Sequence, residues 1–250
     1  MKDRAGVSYW HDLWKDKEIS KIDINYYTNN LLHKLFSKYL PKSNNIEICE
    51  IGCAMSSYLL YFNDYFHFKI NGFDYDCESA KKTLNIYKNM GYDANIFCHN
   101  FFDIDNITKQ YDILFSAGVF EHFENLNESI LLTTHYIKKG GFIITLIPNM
   151  NGIIGFMQKV LNKKVYDIHI PYKKNDLLYA HEKAGYKTLF CNYYGVYQGG
   201  VVNIDKIRFE NFIRKLIAIP GKPLNFISKF ISIDSKYISP YVIYIGKKCK

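Results

Sequence analysis

Glu50, Gly52 and Ser56 stand in the stretch EICEIGCAMSSYLLYF, residues 47–62, where an alternating apolar strand passes through one glycine into a helical run. Glycine removes the Cβ that would hold a ligand off the main chain, and the helix that follows offers its N-terminus to an anionic group there. Glu50 can hold a cation by charge-assisted hydrogen bonding, or serve only as a strand-end carboxylate satisfied by nearby amides. Asp74, in GFDYD, is an acceptor-only group when ionised and suits two vicinal hydroxyls. Its alternative is a helix N-cap, although Asp76 and Cys77 lie closer to the helix that follows. Two phosphate-binding patterns are absent. A dinucleotide site wants G-x-G-x-x-G after the strand, and here only Gly52 is present; no G-x-x-x-x-G-K-[ST] occurs either. The ligand at this strand end therefore has no pyrophosphate to cradle.

The elements that position these residues alternate between about residues 46 and 147, which predicts a parallel sheet with crossover helices. IEICEI, FKINGFD, ANIFCHN, YDILFSAG and FIITLIPN read as five strands. Helices are expected from about Ser57 to Tyr65, over CESAKKTLNIYKNMG with Gly91 as its cap, and from about Leu126 to Lys138, with Gly140 and Gly141 making the turn into the fifth strand. Beyond residue 150, NGIIGFMQKVLNKKV and NDLLYAHEKAGY read as helices, and KTLFCNYYGVY and PYVIYIGKK as strands. Between those strands, FENFIRKLIAIPGKPLNFISKFI predicts two short amphipathic helices broken at Pro220 and Gly221. This segment is a lid over a substrate, a surface-association element, or a pair of helices packed on the sheet. The first forty residues, with Trp10 and Trp14, are expected to form helices that precede the sheet and cover a ligand.

The acid-x-G-x-G-x-G spacing, carried here as EIGCAMS with Ala54 and Ser56 at two glycine positions, resembles motif I of the class I S-adenosylmethionine-dependent methyltransferases. Other pieces agree in order. GFDYD is similar to the strand end where that family places an acid on the ribose hydroxyls, and CHNFFDI to the segment that reads the adenine. YDILFSAGVFEHF, GGFIITLIPN and LLYAHEKAGYKTLF are similar to the later strands and their connections. The resemblance covers roughly residues 45–200 and the last strand. It implies a doubly wound α/β fold, a seven-stranded, mostly parallel Rossmann-like sheet with helical N- and C-terminal elaborations. A helical cap would occupy residues 1–44, and the methyltransferase domain residues 45–250 with a helical insertion at about 203–235. The implied cofactor is S-adenosylmethionine. Its binding residues would be Glu50, Gly52, Cys53, Ser56, Asp74, Tyr75, Asn100, Phe101 and Ser116, with Asn100 standing where the family often has Asp.

A sulfonium cofactor carries an activated methyl group, so no metal is required, and a hydroxyl acceptor needs a base. His169, in YDIHIPYKK, is the leading candidate, with Tyr166 and Tyr172 beside it as substrate contacts. His122, in FEHF, lies at the ligand-binding edge of the sheet and is either a second base candidate or a loop brace. His11 can close over the pocket from the N-terminus, whereas His181 is expected on a helix as a surface or core residue. SAGVFEHF in place of a DPPY or NPPY run resembles the small-molecule branch. That implies O-methylation of a polar acceptor, phosphorylated or nucleotide-linked, such as a precursor of capsule or lipopolysaccharide. RNA methylation and a non-catalytic cofactor-binding scaffold are the competing readings.

Composition narrows the remaining classes. In 250 residues, 48% are hydrophobic and 22% charged, as expected of a globular chain. The formal charge of +8 is dispersed in short lysine pairs, such as Lys81-Lys82 and Lys138-Lys139, which favours a solvated surface over a nucleic-acid stripe. Six cysteines without a C-x-x-C pair predict neither a zinc site nor a disulfide framework. With no apolar leader and no run of about 18 apolar residues, the chain is expected to be cytoplasmic and not membrane-spanning.

Overall fold

The computed structural model describes residues 3–43, 45–107, 109–205, 208–228 and 234–249. Seven strands form one sheet: β1 (Glu47–Ile51), β2 (Lys69–Asp74), β3 (Ala94–Cys98), β4 (Tyr111–Ala117), β5 (Ile137–Pro148), β6 (Tyr186–Tyr194) and β7 (Tyr241–Lys248), in the order β3-β2-β1-β4-β5-β7-β6. β1 to β5 are mutually parallel, and β7 runs antiparallel between β5 and β6. This is the doubly wound, mostly parallel sheet that the alternating pattern predicts. The strand order reverses between β1 and β4, where such sheets bind ligands beyond their C-terminal ends.

Parallel strands are covered on both faces, so their side chains feed two cores. One packs Ile48, Ile70, Ile113, Phe115, Ile144 and Ile245 against α2 (Tyr27–Tyr39) and α3 (Tyr58–Phe66); the other packs Leu114, Ile143, Ile147 and Val242 against α5 (Leu126–Thr133) and α8 (Lys174–Lys183). α4 (Cys77–Asn89) crosses between β2 and β3, with Asp76 as its N-cap accepting from the Glu78 amide at 3.2 Å. The two N-terminal helices divide their work. α2 buries Leu35 and Phe36 in the sheet core, while α1 (Val7–Trp14) has no buried residue and lies over the strand ends.

Four features differ from the expectation. α5 stops at Thr133, and Gly140-Gly141 is not a turn but part of β5, whose register against β4 shifts between Tyr111 and Ile113. A Cβ on Gly141 would lie 2.8 Å from the Asp112 carbonyl oxygen, so the close strand approach itself requires glycine. The helix predicted over residues 151–165 is two, α6 (Ile153–Leu161) and α7 (Lys163–Asp167), because Asn162 leaves helical dihedrals and caps the second. Cys77 and Cys98 form a disulfide across the α4 and β3 termini, a single bridge where none was expected. Sequence spacing could not show it, because β2-β3 pairing brings the two residues together from 21 positions apart.

In the C-terminal segment, α9 (Glu210–Ala218) and α10 (Gly221–Ile227) break at Pro220 as the sequence predicts. Their inner faces join α6 around a small satellite cluster of Ile154, Val196, Tyr197, Val202 and Ile204. Residues 206, 207 and 229–233 of the predicted insertion lie outside the described residues.

Candidate active site at the strand ends

β1, β2 and β4 end in loops that enclose one cavity. Its wall is Ile51 and Gly52 at the end of β1, Phe73 to Tyr75 at the end of β2, His99 to Phe102 after β3, and Gly118, Val119, His122 and Phe123 after β4; Asp3, Trp10 and Trp14 close it from the N-terminal segment. Gly52 (φ 69°) turns the chain at the end of β1, and its amide donates to the Phe73 carbonyl at 2.9 Å, tying the loop to β2. A Cβ there would sit 2.8 Å from Val119 Cγ2. Gly52→Ala is therefore expected to destabilise the fold by about 1–3 kcal/mol through the positive φ alone. Urea denaturation measures this, and an unchanged midpoint would show that the loop relaxes.

Asp74 is one of two carboxylates on the cavity wall, the other being Asp3. Asp74 Oδ2 accepts from the Ala54 amide at 3.1 Å and its Oδ1 from the Asp76 amide at 2.9 Å, with the Tyr75 amide also acting on it, and the carboxylate still keeps acceptor capacity. Burial pushes its pKa up to about 6 against the lowering effect of those amides, so it is mainly ionised at neutral pH. The helix cap is Asp76, which leaves Asp74 facing the cavity. Tyr75 donates its hydroxyl to Asp3, whose carboxylate also accepts from Trp10 Nε1 at 2.7 Å. This pins the α1 segment over the cavity. Asn100 keeps its Oδ1 on the Phe102 amide at 3.1 Å, and the rings of Phe101, Phe102 and Phe123 pack edge and face beside it.

Several predicted residues lie away from the cavity wall. Glu50 and Ser56 form an internal brace: Ser56 Oγ donates to Glu50 Oε2 at 2.6 Å, and the Tyr87 hydroxyl donates to the Ser56 carbonyl at 2.6 Å. Burial pushes Glu50 up to about 8, so it is mostly protonated at neutral pH. Cys53 is fully buried against β2, and Ser116 is buried in β4 with its hydroxyl unpartnered. His11 lies outside, 3.5 Å from an Asp76 oxygen and 3.6 Å from a Glu78 oxygen, joining α1 to α4. Tyr166 lies under the Lys159 ammonium. The Tyr172 hydroxyl donates to the Phe123 and Glu124 carbonyls at 2.7 and 2.9 Å, bracing the loop after β4.

The two histidines exchange places relative to the sequence ranking. His122 lines the cavity, whereas His169 stands behind it with ring centroids 4.6 Å apart. Their Nδ1 atoms face the Ile168 and Val165 carbonyls at 3.0 and 2.6 Å. A carbonyl only accepts, so each Nδ1 carries the proton and each Nε2 presents a lone pair. Burial lowers His122 to about 3 and also lowers His169, which keeps both neutral. Glu121 completes the cluster: it is buried, neither carboxyl oxygen has a hydrogen-bond partner although Oε1 lies 3.9 Å from His122 Nε2, and burial pushes it up to about 8. One ligand atom from each of these three residues lies within 4.8 Å of the others. Tetrahedral zinc with bonds of about 2.0–2.1 Å sets its ligand atoms about 3.4 Å apart, closer than the 3.9 Å between His122 Nε2 and Glu121 Oε1. His181, by contrast, is a core residue bonded to Thr145 and Leu177.

Asp3, His99, Phe102, Val119 and Phe123 line the cavity without a signal of their own in the sequence, although His99 adjoins Asn100. His99 Nε2 is 2.8 Å from the Tyr136 hydroxyl, a contact made across the sheet.

A family model described as a methyltransferase domain matches residues 42–185, more than half of the chain. Among solved structures, the chain is similar to an S-adenosylmethionine-dependent methyltransferase from Archaeoglobus fulgidus (13% identity, 96% of this chain and 98% of that one, TM-score 0.55). It is also similar to one from Mesorhizobium loti (13% identity, 86% and 96%, TM-score 0.53) and to the [4+2]-cyclase SpnF (12% identity, 99% and 97%, TM-score 0.64). At such identities these likenesses describe the fold. No curated protein matches the sequence.

Proposed function

The chain belongs to the methyltransferase-domain family and is a class I S-adenosylmethionine-dependent methyltransferase; from that premise we propose that it methylates a hydroxyl of a small polar acceptor in the cavity beyond β1, β2 and β4. The observation that carries this reading is the meeting of Gly52, Asp74 and His122 on one cavity wall. The residues fit the cofactor. Gly52 leaves the backbone open where a side chain would strike Val119, Asp74 keeps acceptor capacity on the cavity wall, and Asn100 lines the cavity together with the Phe101, Phe102 and Phe123 rings, an apolar surface for a flat base. Asp74 would hold the ribose hydroxyls, Asn100 and the Phe101 amide the adenine, and the loop at Gly52 the amino-acid end. When bound, the sulfonium supplies the activated methyl group.

The chain's own residues do the rest. Trp10, Trp14, Val119 and Phe123 exclude water from the reacting centre. His122 Nε2 accepts the hydrogen bond of the incoming hydroxyl and takes its proton. A pKa lowered to about 3 makes it a weak base, but an oxygen acquiring a methyl group becomes strongly acidic, so the proton leaves late and a weak neutral acceptor suffices. For the acceptor class, the dispersed lysine pairs and the SAGVFEHF loop support a phosphorylated or nucleotide-linked sugar of surface-polysaccharide synthesis over RNA.

Asp74→Ala tests the cofactor assignment. Removing a charged acceptor from two hydroxyls should weaken S-adenosylmethionine binding by about 1.5–3 kcal/mol, read by calorimetry. Affinity equal to that of the unaltered protein would refute the ribose role. The acceptor class is checked by screening phosphorylated sugars, nucleotide sugars and RNA for S-adenosylhomocysteine release; turnover on RNA alone would overturn it.

A further inference from the structure

We propose that the outer faces of α6 and α9, with the lysines beside them, dock this protein on the surface of a membrane rich in anionic lipid. The inference is independent of the transfer chemistry. It starts from helices that are apolar on two sides. α6 turns Ile154, Met157 and Leu161 onto the satellite cluster, and α9 turns Ile213 and Ile217 onto it. Those contacts complete what an amphipathic surface helix requires. Each helix nevertheless carries a second apolar stripe. On α6, Phe156 and Val160 are 64% and 66% exposed; on α9 and its flanks, Phe209, Phe212, Leu216 and Ile219 are all exposed. At about 100° per residue the last four fall within roughly 80° of arc, a coherent stripe rather than scattered exposure.

The charges around the stripe indicate the occupant. Lys159 on α6, Lys215 on α9 and Lys222 on α10 are exposed, and none has a carboxylate partner among the described residues. The one acid of α9, Glu210, is bound by Arg214 at 2.9 Å. Unbalanced cations beside phenylalanine and aliphatic residues fit an interfacial helix, whose apolar side enters the acyl boundary while lysine stems reach the headgroups. A second copy of this chain would set the same cations against one another, which disfavours a self-docking face. None of the described helices is long and apolar enough to cross a membrane, so the attachment is peripheral. It also lies beside the cavity lid: Lys17, in the segment that follows α1, binds Asp205, just ahead of α9, at 2.7 Å. A lipid-borne acceptor could thus be presented to the cavity from the surface the helices rest on.

Vesicle flotation with the full chain tests the proposal, using phosphatidylcholine vesicles with and without added phosphatidylglycerol, an anionic lipid. The protein is expected to float with the anionic vesicles and to stay soluble with the neutral ones. Phe212→Glu with Leu216→Glu should abolish flotation. Lys215→Gln and Lys222→Gln should each weaken it about fivefold, as should raised salt. S-adenosylmethionine affinity and helicity of each variant report whether it folds, and the lysine variants decide the matter if the double glutamate variant does not. Absence of flotation at low salt would overturn the proposal. So would equal binding to both vesicle types, or a dimer in sedimentation velocity that dissociates in the glutamate variant without vesicle binding. Vesicle binding is read without cofactor or acceptor, so its failure is distinct from failure of the methyl-transfer reading.

Discussion

Replacing His122 with asparagine should lower turnover about a hundredfold, the low end of what a positioned base contributes, while changing cofactor affinity little. The low end is expected because burial lowers His122 to about 3, so that in the proposed role it would be a weak proton acceptor acting late in the transfer. Asparagine keeps a polar group of similar reach but lacks a basic nitrogen at the cavity wall. His169→Asn should act more weakly, through the orientation of His122, since His169 packs on that ring and does not line the cavity. Single-turnover release of S-adenosylhomocysteine with an acceptor found by the screen measures both. Turnover of the His122 variant equal to that of the unaltered enzyme would remove it as the proton acceptor; a larger loss at His169 would restore the ranking drawn from the sequence.

The second large effect is on stability. Glu50 is buried without a cation, and its pKa rises from 4.5 to about 8 because burial penalises the carboxylate, with the Ser56 hydrogen bond opposing. Between those two values the folded chain holds a proton that the unfolded chain has released. The stability contribution is therefore fully present below pH 4.5, declines by up to about 1.4 kcal/mol per pH unit, and is lost as pH passes through 8. Glu50→Gln keeps an acceptor for Ser56 and cannot ionise. Denaturation midpoints of the variant and the unaltered chain should coincide near pH 4.5 and diverge by a few kcal/mol in favour of the variant at pH 8. Asp74 and Glu121, both raised by burial, tilt both curves in the same direction, so the difference between the curves isolates Glu50. Parallel curves would mean that Glu50 is ionised in the fold, held by a group other than Ser56.

The contrast between Asp74 and Glu50 shows how far sequence reasoning reaches. Both are acids at strand ends, both sit next to a motif, and both were expected to bind the cofactor. Asp74 lines the cavity because β2 runs one residue past Phe73, the partner of the last β1 residue, so that the Ala54 amide of the loop after β1 donates to it. Glu50 points the other way, into the loop it braces. A strand alternates its side chains, but the sequence does not reveal which face meets the cavity until the neighbouring strands are in register. The same limit explains the histidines. FEHF and YDIHIPYKK lie 47 positions apart, and only the packing of the α7 segment under the loop after β4 places His122 in front of His169.

Local chemistry determined the alternating elements, the break at Pro220, the glycine turn after β1 and the membership of Asp74 and Asn100 in a strand-end group, because periodicity and backbone freedom act within a few residues. The tertiary structure alone decided the Cys77–Cys98 bridge, the split of the N-terminal helices between core and cavity, the closure of the site by Asp3 and Trp10, and the order of the two histidines. Each of these depends on contacts between segments far apart in the chain. Their energies come from burial and register, which no short window of residues contains.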